Sequence, residues 1–592
     1  MSSTEANDPR LYRLIPALGS LSRYSAADLR GDLIGGLTVA TVAVPQAMAY
    51  GLVAGVRPEH ALYTAIVMTT VGALLDSSRQ LINGPTNAIS IAVLSALALV
   101  PPERHLEGAV LLALMIGGWQ LLITLLRLGD LSRYISHSVV VGFTLGAGSL
   151  LVFDQLKNLL GLKAMGDPHD PFMWRFAQTM LYGGSVHGAT LAVGVGTIVL
   201  IVGLRSFKRW VGMPLLPELL LAVVAMAAAT SWLGLEASGV RVVGDIPRQL
   251  PSFSVPLIDW NLVRDLSSSA FAIGLLGLLE AVAMAKAIAA VTRQRLDVNQ
   301  QCLSEAMANL AASCFQAIPG SGSLTRSAIN QQAGGRTQWA GVVSAVAVAA
   351  IIVAFAPFAR TIPKAALAGI LLVSSVRMVD WGALAYHVRT TRFDAAIVAA
   401  TAFSAVFISI EFCVLIGIGM SFLLAVRRAG RLLLTEFVVT GEGVVHDRHA
   451  REPVDPKLWI FGLEGEFFFG SSADLESHFD AIEGRINGLV QVVVLRVKRV
   501  RNPDAVCLHM LAEFMDRMQA RGVRVLLCGV RPDIGGALEL AGIAQRHGPL
   551  FLEANTRNSS TLAALRYAHQ LIDEHPDAPA PTDRPMLVGV AG

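Results

Sequence analysis

From Leu33 to about Arg427 the chain is a succession of apolar stretches, roughly fourteen of them, each closed by a short polar interval and most near the length that crosses a bilayer as a helix. They run over about 33–51, 60–76, 86–100, 108–127, 136–160, 187–204, 213–234, 268–291, 301–316, 324–335, 337–356, 363–379, 394–410 and 411–427, the third and tenth being shorter or more polar than the rest. Lipid offers backbone amides no partner, so such stretches must close their hydrogen bonds internally, as helices. With 53% apolar and 15% charged residues, the 592-residue length describes a polytopic α-helical membrane protein rather than three or four soluble domains. A net charge of +3, scattered between apolar runs, points to no nucleic-acid partner.

Basic residues in short loops favour the cytoplasm. Arg23 and Arg30 precede the first stretch; Arg79, Arg127 with Arg133, and Arg205 with Lys208 and Arg209 follow the second, fourth and sixth. Arg293 with Arg295, Arg336, Arg389 with Arg392, and Arg427 with Arg428 and Arg431 follow the eighth, tenth, twelfth and fourteenth. All fall on one side, which places both termini in the cytoplasm and the protein in a cell inner membrane. Arg360 and the long-loop residues Arg241, Arg248 and Arg264 break the pattern, as long loops are free to do. The N-terminal segment 1–30 is polar and lacks the layout of a cleavable signal, so the first apolar run is expected to stay as a span.

Fourteen spans divide into seven and seven, and an odd number per half turns the second half upside down relative to the first. The third stretch starts about 53 residues after the first, and the tenth about 56 after the eighth. This predicts an inverted repeat within a transport domain over 31–430, with halves at about 31–235 and 265–430.

NGPTNAIS (Asn83 to Ser90) and PGSGSLTRS (Pro319 to Ser327) stand in matching places of the two halves, rich in Gly, Pro and hydroxyls. Irregular backbone at membrane depth survives where it lines a cavity. Gly and Pro ahead of an apolar run also mark the approach to a helix N-terminus, whose free N–H groups and positive dipole end attract anions. Two such ends facing each other predict an anion site, although Pro-kinked helices packed through small residues would carry the same composition.

Two ionisable residues lie inside these stretches and are functional candidates for that reason. Arg326 brings a permanent positive charge to the second segment. Glu280 sits mid-way along GLLGLLEAVAMAKAIA, where desolvation disfavours the charged form of a carboxyl and makes proton uptake feasible. A carboxyl that gains a proton as an anion binds would give proton–anion symport; an ion pair of Glu280 with Arg326 or Lys286 is the alternative. Asp154 and Lys157 read as a local pair one turn apart, and GDPHDPF, with Asp167, His169 and Asp170, reads as a loop rather than a metal site. Cys302, Cys314, Cys413, Cys507 and Cys528 show neither CxxC nor a disulfide framework and read as buried small apolar residues. The sequence holds no nucleotide-binding loop and no hydrolase signature, so the expected protein is not an enzyme, needs no cofactor or metal, and draws its energy from a gradient.

Beyond about residue 440, LWIFGLEGEFFFGSSADLESHF, LVQVVVLRVKR, CLHMLAEFMDRMQARG and VRVLLCGV alternate short β-rich runs with amphipathic helices, the pattern of a small α/β domain. The Pro-rich, polar residues 576–592 are expected to be a disordered tail.

Across nearly its whole length the chain resembles the SulP family of sulfate permeases and related anion transporters. The resemblance rests on GLTVATVAVPQAMAYGLVAGVRPEHALYTA, INGPTNAISI, QLKNLLG and GSGSLTRSAINQQAGGRTQWAG; residues 440–575 resemble a cytoplasmic STAS domain. It implies fourteen spans in a seven-plus-seven inverted repeat, a core domain moving against a gate domain in an elevator-like cycle, and a homodimer. It also implies a substrate site between the N-termini of helices 3 and 10, lined from helix 1. Here those positions are Gln46, Tyr50, Thr86, Asn87, Ser323, Leu324 and Thr325, with Arg326 at the family's helix 10 arginine. A glutamate at the Glu280 position implies proton coupling, where sodium–bicarbonate members carry aspartate. STAS domains that work as phosphorylation switches carry Ser or Thr after an Asp at a helix start. NPDAVCLHM (Asn502 to Met510) has no such hydroxyl, which points the domain toward a structural, dimerising or partner-docking role.

The leading expectation is therefore proton-coupled symport of sulfate, bicarbonate or a dicarboxylate, against a sodium-coupled bicarbonate carrier or an uncoupled exchanger. A membrane-anchored STAS scaffold and a nucleobase permease are the rivals from outside anion transport.

Overall fold

The computed structural model describes residues 12, 14–127, 136–167, 170–213, 216–440, 444–449, 452–553 and 559–574. Arg133, His169, the first eleven residues and the tail 576–592 lie outside the described residues. The chain divides into two compact units, Met1–Ser421 and Phe422–Gly592.

A helix lies on each of the fourteen apolar stretches. They are α1 (Ala26–Val53), α2 (Pro58–Leu75), α3 (Asn87–Ala96), α4 (His105–Leu125), α5 (His137–Leu160), α6 (Gly188–Val211) and α7 (Glu218–Trp232) in the first half. The second half has α8 (Trp260–Thr292), α9 (Val298–Ser313), α10 (Leu324–Gln332), α11 (Trp339–Ala359), α12 (Lys364–Met378), α13 (Arg392–Phe407) and α14 (Ile410–Ala429). Among the described residues, seven helices are long and apolar enough to cross a membrane on length and composition alone, those containing α1, α4, α5, α6, α8, α12 and most of α14. Three of the others fall short for local reasons. α9 buries a polar stripe of Gln301, Ser304, Glu305 and Asn309, and α3 and α10 are only 10 and 9 residues long.

The brevity of α3 and α10 comes from what precedes them. Asn83–Gly84 (β1) and Ser321–Gly322 (β2) are extended and pair antiparallel, so the chain crosses itself in the interior before each half-helix starts. Gly84 has φ +148°, and a Cβ there would lie 2.8 Å from Arg326 Nη1. A Cβ on Gly320 would fall on the Gly84 carbonyl oxygen. Only glycine allows this approach at these two positions.

Packing shows the repeat directly. The pairs α1·α2, α1·α11, α2·α11, α1·α10 and α5·α13 are in contact, and so are α8·α9, α8·α4, α9·α4, α8·α3 and α12·α6. Each of the second set follows from one of the first by exchanging a helix with the one seven places away. α1–α4 and α8–α11 form one bundle, α5–α7 and α12–α14 the remainder. The core and gate groups meet through α1·α12, α1·α7 and α3·α5. Two further helices, Phe172–Tyr182 and Trp381–Thr390, lie in intervals read as loops from sequence.

The second unit is built on a six-stranded sheet of order β4-β3-β5-β6-β7-β8. Its strands are β3 (Leu433–Val439), β4 (Val445–Asp447), β5 (Leu458–Glu466), β6 (Val492–Arg501), β7 (Arg524–Val530) and β8 (Phe551–Leu552). β5 through β8 run parallel and β3 runs antiparallel to both its neighbours. Alternation along β5 sends Trp459, Phe461 and Leu463 to one face and Leu458 and Ile460 to the other. The first face is covered by α15 (Ser472–Arg485) and α16 (Ala505–Ala520), where Phe479 and Phe514 stack at 4.1 Å. The second is covered by the helix Ser559–Glu574 through Ala564, Leu565 and Ala568. The sheet takes in β3, which lies ahead of residue 440.

Candidate functional site

Each half-helix begins on a hydroxyl cap. Thr86 Oγ1 accepts from Ile89 N at 3.4 Å at the start of α3, and Ser323 Oγ accepts from Arg326 N at 3.4 Å at the start of α10. The caps satisfy one amide apiece; the remaining first-turn amides of an α-helix have no intrahelical partner and carry its positive end.

These two ends line a cavity of about 600 Å³. Tyr50 of α1, Thr86 and Asn87, Ser323, Leu324 and Thr325, and Glu280 of α8 all contribute to its wall, and α5 and α12 supply others, including His137, Val141 and Met378. Six of the seven positions implied by the resemblance thus converge on one space. Gln46, the seventh, lies one turn before Tyr50 beside Pro45 within α1 and is buried. Lys286 and Arg377 also border the cavity, matched in formal charge by Glu280 and Asp380, so the pull on an anion there rests on the two helix ends.

Glu280 meets the α3 end through its side chain: Thr86 Oγ1 donates to Glu280 Oε2 at 3.2 Å. One hydroxyl therefore touches both the α3 N-terminus and the carboxyl. Asn87 Nδ2 donates to Met378 Sδ at 3.6 Å, linking the α3 end to α12 across the two helix groups. Arg326 is 1% exposed, and its Nη2 donates to Pro85 O at 2.9 Å, which places its charge at the crossing of the two extended segments.

Other polar residues became visible only in three dimensions. Asp76, at the end of α2, is fully buried and accepts from Asn83 Nδ2 at 3.1 Å, from Ser304 Oγ at 2.7 Å and from Gln301 Nε2. Asn309 holds the turn before β2, donating to Gly320 O at 3.3 Å and accepting from Gly320 N at 3.1 Å. Asp32 of α1 accepts from Arg336 N and Thr337 N at 2.7 and 3.0 Å and so caps the approach to α11. Asp32 and Asp76 fall at span ends, where an acid looks solvated; Glu305 lies inside a stretch and the rule that singled out Glu280 applies to it equally. Asp154 and Lys157 form the local pair expected, at 2.6 Å. Among the described residues no three metal-ligating side chains come together.

A model of the sulfate permease family matches residues 29–401, and one of the STAS domain matches residues 450–556. The chain belongs to the sulfate permease family. It is a multi-pass membrane protein and an anion transporter of that family, not an enzyme, with a STAS domain after its helices. It is 28% identical over 533 residues to the putative sulfate transporter YvdB of Bacillus subtilis, covering 90% of this chain and 97% of that one. It is 26% identical over 470 residues to the bicarbonate transporter BicA of Picosynechococcus sp., covering 77% and 81%. In fold it matches the murine anion transporter Slc26a9, solved in an inward-facing state, with a TM-score of 0.84 at 19% identity over 96% of each chain. The transmembrane domain of BicA matches with a TM-score of 0.59 at 24% identity, over 67% of this chain and 97% of that one.

At the start of α16, where a phospho-switch would carry its hydroxyl, Asp504 caps the helix by accepting from Cys507 N at 2.9 Å, and Ala505 follows it. Four of the five cysteines are buried; Cys314 is partly exposed, because it stands at the C-terminal end of α9 rather than within it.

Proposed function

We propose that the protein is a proton-coupled symporter of a small oxyanion or carboxylate, with sulfate, bicarbonate or a dicarboxylate as the substrate class. The contact that carries this reading is Thr86 Oγ1 to Glu280 Oε2. An anion held at the α3 and α10 N-termini sits beside a carboxyl that repels it when ionised and tolerates it when protonated. Binding of anion and proton is thereby linked, and linkage of two ligands at one movable site is the thermodynamic content of symport. Sulfate, for the putative sulfate transporter YvdB, and bicarbonate, for the bicarbonate transporter BicA, lie within the same substrate class.

The helices span the membrane fourteen times, with both termini cytoplasmic and the protein in the inner membrane. The α1–α4/α8–α11 bundle carries the site against the remaining helices in an elevator-like movement, with Asn87–Met378 a contact that must break and reform. The transporter works as a homodimer, and its STAS domain serves assembly or docks a cytoplasmic protein.

Uptake of labelled anion into proteoliposomes tests the coupling. An inward proton gradient alone is expected to drive accumulation, and Glu280→Gln is expected to abolish that accumulation while leaving anion exchange partly intact. Accumulation driven by sodium alone, with no response to a proton gradient, would replace the reading with sodium-coupled transport. Downhill exchange without accumulation would replace it with an uncoupled exchanger.

A further inference from the structure

The carboxyl of Glu305 is fully buried, and neither of its oxygens has a hydrogen-bond partner. Its environment explains why. One turn earlier on the same α9 stripe Gln301 is committed to Asp76, and one turn later Asn309 is committed to Gly320 and, at 3.1 Å, to Gln120. The Ser321 hydroxyl, on β2, lies beside the carboxyl, but its proton is directed at Gly277 O, at 2.8 Å. The donors on every side are engaged elsewhere.

The charged and titratable groups facing this region are few. α2 presents Asp76, α8 presents Glu280 with Lys286 toward the cavity, and the α10 segment presents Arg326; α4 faces α9 with Gln120 and Thr124; α9 itself adds Asp297 and Cys302. Asp76 accepts from Asn83, Gln301 and Ser304, and Glu280 has Thr86 and the cavity. Glu305 has neither. An isolated buried carboxylate costs so much that such a group takes up a proton instead.

We propose that Glu305 is a proton-binding site of the transport domain, distinct from Glu280, whose occupancy keeps the anion cavity free of an opposing charge. Asn309 ties α9 to the residue before β2, while Ser323, Leu324 and Thr325, just after β2, line the cavity. Loss of the proton would set a negative charge across β2 from the α10 N-terminus and oppose the field that holds the anion. This second step rests on the anion-cavity reading above; the proton itself does not.

Infrared spectroscopy of the full chain in lipid decides the first step. At neutral pH the parent is expected to show the carbonyl stretch of a protonated carboxylic acid, lost in Glu305→Gln and retained in Glu280→Gln. A parent lacking that band, or a Glu305→Gln protein keeping its full intensity, overturns the proposal, and the parent spectrum is readable even where the variant fails to fold. Anion affinity measured against pH decides the second. With the coupling carboxyl removed by Glu280→Gln, affinity is expected to weaken on the order of tenfold on going alkaline, as one buried charge near the site would require, and the double variant Glu280→Gln with Glu305→Gln to stay nearly flat. Equal weakening in both overturns the link to the cavity. Failure of proton-driven uptake would overturn the coupling reading while leaving the infrared band as the judge of Glu305.

Discussion

Thr86 and Glu280 are 194 positions apart in sequence and 3.2 Å apart in space, the hydroxyl of one donating to the carboxylate of the other while also accepting from the Ile89 amide. Removing that hydroxyl takes away a helix cap and a carboxyl partner together. Thr86→Val is expected to weaken anion binding and to blunt the response of uptake to a proton gradient, whereas Thr86→Ser should keep both. The cap alone contributes about 1 kcal/mol. Uptake kinetics for the two variants check this: a valine variant with parental KM and parental gradient response would show that the contact plays no part.

The crossing of the two extended segments is equally specific. Gly320→Ala would press a methyl onto the Gly84 carbonyl, and Gly84→Ala would press one onto the Arg326 guanidinium. Gly320→Ala meets backbone that cannot yield, and Gly84→Ala meets a buried guanidinium at a φ of +148° that L residues rarely adopt, so both are expected to be damaging, with anion binding lost before the fold is. Ligand-binding and thermal-unfolding measurements on the purified variants separate the two effects. Parental affinity in Gly320→Ala would mean the segments can part without disturbing the helix ends.

Much of this was legible in the sequence because lipid imposes a simple rule on backbone. The apolar stretches marked all fourteen helices, and the Gly, Pro and hydroxyl segments marked both places where a helix is cut short. The rule says nothing about what pairs with what across hundreds of residues. That Thr86 meets Glu280, or that Asp76 at the end of α2 is buried against Ser304 and Gln301 of α9, depends on tertiary packing. The helix Phe172–Tyr182 escapes the same rule because, at 11 residues interrupted by Arg175 and Gln178, it is too short for a spanning run. That the Arg326 guanidinium reaches the Pro85 carbonyl, 241 positions away, is likewise a matter of side-chain direction, which spacing does not carry.

Cysteine reactivity in the STAS domain should follow burial. Cys528 lies in the sheet core, where burial pushes its thiol up to about 11, and burial also raises that of Cys507. A raised thiol is reactive only as pH climbs toward its own range, so at neutral pH the thiolate of Cys528 is scarcer than that of a free cysteine by roughly a hundredfold. Alkylation of the folded full-length protein, mapped by mass spectrometry, is expected to leave Cys507 and Cys528 unmodified until denaturant is added. Prompt labelling of Cys528 in the native protein would mean that the sheet opens.

Asp32 shows how a buried acid can be structural without being a coupling group. Its carboxylate takes the Arg336 and Thr337 amides at 2.7 and 3.0 Å, the Thr337 hydroxyl at 2.5 Å and the Tyr24 hydroxyl at 3.0 Å. Every neighbour is a donor, so only an acceptor with two oxygens fits. Asp32→Ala leaves buried donors unmet, at about 1–3 kcal/mol for each amide lost. Asp32→Asn is expected to do no better despite its matched shape, because its NH₂ must face donors on one side. Both variants should lower the unfolding temperature in detergent and loosen α1 from the α11 approach, with proton coupling unchanged in whatever protein remains folded. An asparagine variant as stable as the parent would mean that one of these donors can turn away and find another acceptor.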